Sequence, residues 1–255
     1  MNFRAPISTT VLALIFGLLC AASMPVASAD PLAGLSEEKR TELMELVQSA
    51  SQDVAGVRMF EALQSLNKAE AIAADFHVIH NLRGAVYTKL KDFEKARASF
   101  DKSIRLQPDA YEARFNFHEI YFVTGEYQKA LDGFQKLLDD FPRMPESIRD
   151  MARYKVLLCH IALDQTDKAK VIAERFSYLD DTPVYYFANA AMKLADDDEA
   201  GAAEWIGSAG RIYGPETAQL YVDGLQEMGL MPSISAVGGV NPNAPDGAPA
   251  PGVLP

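Results

Sequence analysis

The stretch YTKLKDFEKARASFDKSIRLQP, residues 87–108, returns as YFVTGEYQKALDGFQKLLDDFP, residues 121–142. Aligned without a gap, Tyr87, Lys95, Ala96, Phe100, Lys102 and Pro108 recur as Tyr121, Lys129, Ala130, Phe134, Lys136 and Pro142, and the aromatic Phe93 recurs as Tyr127. The offset is 34 residues, a helix-turn-helix period that holds two helices of about 14 residues and two short turns. Gly84, Ala96 and Ala130 let paired helices approach closely, and the aromatics fill the space on either side. Pro108 and Pro142 lack an N–H and bias the residue before them away from helix, so each ends a second helix. Gly125 supplies the permissive backbone of an interhelix turn. One such pair cannot bury its own apolar face, so neighbours must stack on it.

The pattern resembles the tetratricopeptide repeat family. Counted from Tyr111, the family's positions for an aromatic, a turn, a second aromatic, Ala, a third aromatic and Pro are taken by Tyr121, Gly125, Tyr127, Ala130, Phe134 and Pro142, with Asn116 at position six. Counted from His77, the chain supplies Gly84, Tyr87, Phe93, Ala96, Phe100 and Pro108. His118 stands where the family prefers Gly, and His80 and Arg114 replace a large aromatic.

The resemblance implies an all-α fold, a right-handed superhelix of stacked antiparallel helix pairs, in which the first helix of each pair lines a concave groove. The inward positions are Val78, Asn81, Ala85, Thr88 and Lys89 in one repeat and Glu112, Phe115, Glu119, Phe122 and Val123 in the next. The candidate partner-binding residues are therefore Asn81, Thr88, Glu112, Phe115, Glu119 and Phe122. Phe115 and Phe122 share a helix face with Glu119 between them, giving an apolar strip crossed by a carboxylate; the alternative is that both rings pack against neighbouring repeats. A groove of this kind prefers apolar or mildly basic peptides. It differs from the carboxylate clamps of some family members, because Asn81, Ala85, Phe115 and Glu119 stand where those use Lys and Arg.

Working outward, Leu35 to Ala50 opens with Ser36 and the acidic residues Glu37 and Glu38, which favour a helix N-terminus. Leu43, Leu46 and Val47 give it an apolar stripe. A second helix runs from about Val57 to Ala73, and residues 30–76 read as a degenerate leading pair or cap, before two repeats over 77–144. After Pro142 the register slips. If Ala169 takes the role of Ala130, the next copy begins about five residues late, its loop or first helix lengthened. Residues 145–214 hold two degenerate pairs, the later one starting at Pro183. Residues 215–230 form one last helix, rich in surface polar groups, that reads as a closing cap.

At the N-terminus, Arg4 precedes an apolar run from Val11 to Leu19, and Ala27-Ser28-Ala29 offers small residues at both cleavage subsites. Residues 1–29 read as a secretory signal peptide, the apolar core being shorter than the ~20 residues of a spanning helix. An uncleaved anchor and a lipidated Cys20 are the alternatives. Cleavage leaves Cys159 alone, flanked by Val156, Leu157, Leu158 and Ile161, a buried thiol behaving as a small hydrophobe. Residues 231–255 are rich in Pro and Gly, with Asp246 their one charged side chain, the composition of a disordered tail.

With 24 basic and 35 acidic side chains, a formal charge of −11, the chain is expected to repel polyanions, so nucleic acid is not an expected partner. Phosphate-binding glycine loops, paired-cysteine zinc spacing and HExxH are missing. His77 and His80, with His118 in the next repeat, could be brought toward a metal, but His80 and His118 fall at packing positions, so no metal, cofactor or catalytic residue is expected. The sequence points to an exported protein-interaction scaffold, in a periplasm or secreted, without stable membrane insertion after processing, that receives a peptide or partner helix. The second reading is a structural subunit that assembles with copies of itself.

Overall fold

The computed structural model describes residues 31–231. The leader reading at 1–29, and the tail reading save for Met231, lie outside the described residues. Among the described residues are eleven helices: α1 Glu37–Ala55, α2 Met59–Ile72, α3 His77–Lys89, α4 Phe93–Leu106, α5 Tyr111–Val123, α6 Tyr127–Asp140, α7 Glu146–Ala162, α8 Thr166–Ala173, α9 Pro183–Ala195, α10 Glu199–Tyr213 and α11 Pro215–Glu227. The architecture is all-α, with consecutive helices packed as antiparallel pairs and the pairs stacked into a superhelix.

Local chemistry sets the helix starts. The side chains of Ser36, Asp92 and Asp198 accept the backbone N–H of Lys39, Lys95 and Gly201, satisfying donors that the first turn leaves unpaired. Pro183 and Pro215 open α9 and α11, where a missing N–H costs nothing. Inside each pair, the turn holds one residue at positive φ: Val57, Lys91, Gly125, Asp164 and Asp197. Their spacings of 34, 34, 39 and 33 residues are a register mark read from the backbone. The five additional residues fall mainly in α7, which has 17 residues against 13 in α3 and in α5. In contrast, α8 is only 8 residues long, and Phe176 lies beyond its end.

The same spacing runs through the small residues at the joints. Ala62, Ala96, Ala130, Ala169 and Ala202 are each at most 1% exposed. In the pair α3–α4, a Cβ placed on Gly84 would enter the Phe100 ring. In α5–α6 the partners are exchanged: His118 occupies the small position, and the ring sits where a Cβ on Gly133 would be. The joint stays close because the missing side chain has moved to the second helix. Ala96→Leu and Ala130→Leu are each expected to overpack a joint and cost roughly 1–3 kcal/mol. Thermal denaturation reads this, and unchanged melting would place these residues away from the joints.

Two larger cores, one over α1–α3 and one from α5 to α11, are bridged by Ala96, Phe100 and Ile120. No helix among the described residues is long and apolar enough to cross a membrane.

Candidate functional site

Successive first helices touch one another, α1 with α3, α3 with α5 and α7 with α9, and form the inner face of the stack. The last helix does not stop at the end of that series. α11 packs on α9 and α10, its expected neighbours, and also on α7. Six consecutive residues, Tyr221 to Gln226, are buried, so α11 is enclosed on every side rather than on one stripe. This departs from the reading of residues 215–230 as a cap with a polar surface. The reason is close approach: Gly224 brings the backbone of α11 onto α7, where a Cβ would lie 3.0 Å from Leu158 Cδ1 and 3.4 Å from Lys155 Nζ. Tyr221 stacks on Phe187 with ring centroids 4.9 Å apart, and its carbonyl accepts the Tyr154 hydroxyl at 3.3 Å.

Where α11 meets the inner face, Lys155 of α7 stands at the centre. Its ammonium donates to Glu119 Oε1 at 2.6 Å and to Glu227 Oε2 at 3.2 Å, and lies 4.1 Å from the centroid of Phe122. All three charged side chains are at most 7% exposed. Asp223, one turn before Glu227, accepts from Gln219 at 2.6 Å, while its other oxygen and Glu119 Oε2 are buried without a hydrogen-bond partner. Lys89 of α3 borders the same space, and both Asp223 and Glu227 act on its charge.

The groove residues expected from sequence divide into two sets. Phe115, Glu119 and Phe122 come together around Lys155, but Phe115 is 2% exposed and Phe122 fully buried, against Phe134 and Tyr127 respectively. The open apolar strip is not there; both rings are core, and Glu119 is already paired. Asn81, Thr88 and Glu112 stand apart from this cluster. Asn81 accepts from Asn116 at 3.1 Å, tying α3 to α5. Thr88 is buried and donates to its own helix, at Gly84 O. Glu112 is half-buried near the start of α5. Sequence reasoning missed Lys155, Asp223 and Glu227. The available signal was a lysine inside the apolar run Tyr154-Lys155-Val156-Leu157-Leu158, since an ammonium is rarely buried there without a partner.

Burial alone would lower the ammonium pKa of Lys155, but the carboxylates of Glu119 and Glu227 outweigh it and raise it. For Lys89 burial dominates and the shift is downward. Burial pushes the Glu227 carboxyl from 4.5 up to about 8, and Asp223 upward as well, against the pull of Lys155. The other groups facing Glu227 are Glu119 of α5, Lys155 of α7, Lys89 of α3, and the buried phenols of Tyr127 and Tyr154. A carboxyl whose folded pKa lies above its unfolded one binds a proton on folding, so its stabilisation is full below about 4.5 and is lost as pH rises through about 8. Docking of α11 should therefore weaken between about pH 5 and pH 8. Amide hydrogen exchange at 221–226, corrected for its intrinsic pH dependence, should show the change, and Glu227→Gln should flatten it. A steep dependence that survives Glu227→Gln assigns it to another group.

Metal and thiol chemistry find little here. Among the described residues no three His, Cys, Asp or Glu side chains converge on one point. His80 Nε2 is 2.8 Å from Ala74 O, and the His118 ring meets Phe134 edge to face. Burial pushes the Cys159 thiol up to about 12, which leaves it protonated and unreactive at neutral pH.

Comparison with known proteins bears on the repeats. Residues 77–110 match the sequence model of the tetratricopeptide repeat. Photosystem I assembly protein Ycf3 of Cyanophora paradoxa is 27% identical over 122 residues, 47% of this chain and 67% of that protein. The protein of the same name from Synechococcus elongatus is 24% identical over 123 residues, 47% of this chain and 68% of that one. A tetratricopeptide repeat protein from Parabacteroides merdae superposes with a TM-score of 0.56 at 17% identity, over 73% of this chain and 70% of that one. That likeness establishes the fold.

Proposed function

We propose that this tetratricopeptide-repeat protein is an exported, non-enzymatic scaffold of a bacterial cell envelope, which holds a peptide or helix of a partner against its inner face while a larger complex assembles. The observation that carries the reading is α11: a helix of the chain's own lies along the inner face, buried over six consecutive residues and anchored by a buried lysine. A surface that accepts one helix in this way has the width and the anchor for another. The Ycf3 relatives, whose name is that of assembly proteins, support an assembly role for a scaffold of this type.

The purified chain, carrying a photo-crosslinking residue at Asn81 or Glu112, is incubated with envelope extract and irradiated. One partner should be retained and crosslinked from these positions, and not from Lys136 on the outer, exposed side of α6. Crosslinks from Lys136 alone would move the binding surface off the inner face. The export reading rests on the short apolar core and the Ala-Ser-Ala triplet at 27–29. Mass spectrometry of the exported protein should find Asp30 at its N-terminus; an intact Met1 or a lipidated Cys20 overturns it.

A further inference from the structure

We propose that α11 is a displaceable internal occupant of the inner groove, and that it holds the place of a partner's amphipathic helix bearing carboxylates one turn apart, which meet Lys89 and Lys155. The proposal rests on the function proposed above and supplies the chemistry of the partner. It reverses the sequence-based expectation of a basic or apolar peptide, because Glu119 is consumed by Lys155 and the groove offers ammonium groups to whatever lies in it.

Three features of α11 support displacement rather than permanent docking. The first is the joint. α10 ends at Tyr213 and α11 begins at Pro215, so a single residue, Gly214, connects them. Its φ of +83° suits glycine, and a Cβ built there would meet nothing within 4 Å, so no side chain is packed against the joint on that side.

The second feature is an incomplete fit. A cavity of about 10 Å³ remains among Phe115, Glu119, Met151, Lys155, Leu220, Asp223 and Glu227. Around it, Glu119 Oε2 and Asp223 Oδ2 are buried acceptors without a hydrogen bond. Of the two, only Glu119 Oε2 stays when α11 leaves, so a helix that also brought a hydrogen-bond donor to it would make a contact that α11 does not. A ligand shifts such an equilibrium only through better contacts than those it replaces, and Glu119 Oε2 marks one place for them.

The third feature is the charge pattern. Asp223 and Glu227 are one turn apart on α11; Glu227 accepts from Lys155 of α7, and the charges of both act on the Lys89 ammonium of α3 without an ion pair to it. The lysines belong to the repeats and stay when α11 leaves. A replacement helix needs to bring the carboxylates, and beside them apolar residues for the places of Leu220 and Tyr221.

The test uses the full chain and a fluorescein-labelled synthetic peptide of residues 214–230. In the chain, Gly224→Leu places a side chain against Leu158 and Tyr154 and should expel the tethered α11 while raising its helix propensity. By anisotropy, the Gly224→Leu chain should bind the peptide at least tenfold more tightly than the unaltered chain does. A peptide with Lys in place of both Asp223 and Glu227 should lose that gain. In the unaltered chain, hydrogen exchange at 221–226 should be at least tenfold faster than at the buried amides of α7. Equal exchange in α11 and α7, through global unfolding alone, makes α11 a fixed part of the fold and overturns the proposal. So does a Gly224→Leu chain that folds and releases α11 yet does not bind the peptide, or binds the Lys peptide equally. Failure to capture an envelope partner, with the exchange and peptide results as expected, would count against the function proposed above and leave the displaceable helix standing.

Discussion

Lys155→Met is expected to lower stability by about 3–5 kcal/mol, roughly a 10 °C fall in melting temperature for a chain of this size. Methionine keeps most of the stem that packs over Phe122 but removes the charge on which Glu119 and Glu227 both converge. Two buried carboxyl groups are then left with no cation between them, and that desolvation outweighs anything methionine gains. The pair by itself is a weaker source of stability than its distances imply, since burying an ammonium cancels much of the attraction it makes. The control is therefore a triple variant, Lys155→Met with Glu119→Gln and Glu227→Gln, which removes the orphaned carboxyl groups and should recover at least half of the loss. Equal melting of Lys155→Met and the unaltered chain would mean that the cluster is open to water. A triple variant no better than the single one would assign the loss to packing around the stem.

Gly133→Leu is expected to cost about 3 kcal/mol, at the upper end for overpacking a core. The side chain has nowhere to go, because the His118 ring already occupies the position of a Cβ at this residue. Leucine's better helix propensity, worth about 1 kcal/mol over glycine, is too small to reverse the sign. The informative partner is His118→Gly. It empties the small position of α5, as Gly84 does in α3, and the leucine then fills the space that the imidazole left. Urea denaturation of the two single variants and the double should show a coupling of at least 1 kcal/mol, within the range found for residues in contact. Strict additivity would show that the two residues do not share the joint.

The reversed pair shows what a repeat pattern encodes. The offset of 34 residues and the recurrence of alanine fix where paired helices cross, because a crossing needs a small residue at one point whatever fills the rest. The turn residues at positive φ then fall in the same register, at Lys91 and Gly125 and again at Asp164. The histidine at the small position of α5 conflicts with that pattern in one helix alone. The conflict disappears when Gly133 is read with it, since the two helices need one small residue between them and not one each.

From sequence alone, then, came the all-α class, the helix pairs, the crossing alanines and the added residues before Ala169. These are set by contacts between residues near in sequence, which leave a periodic trace. The groove residues did not follow from the same reasoning. Phe115 and Phe122 occupy positions that face inward in the repeat, yet whether an inward position is open depends on what lies across it. Here the rings meet Phe134 and Tyr127 of α6, and the space beside Glu119 is closed by α11, about a hundred residues further along, brought there by Gly224, by the stacking of Tyr221 on Phe187 and by the reach of Lys155 to Glu227. Such long-range contacts have no period and little local pattern. Only the tertiary structure decided that the inner face already holds a helix, and that Glu119 is paired with a lysine there.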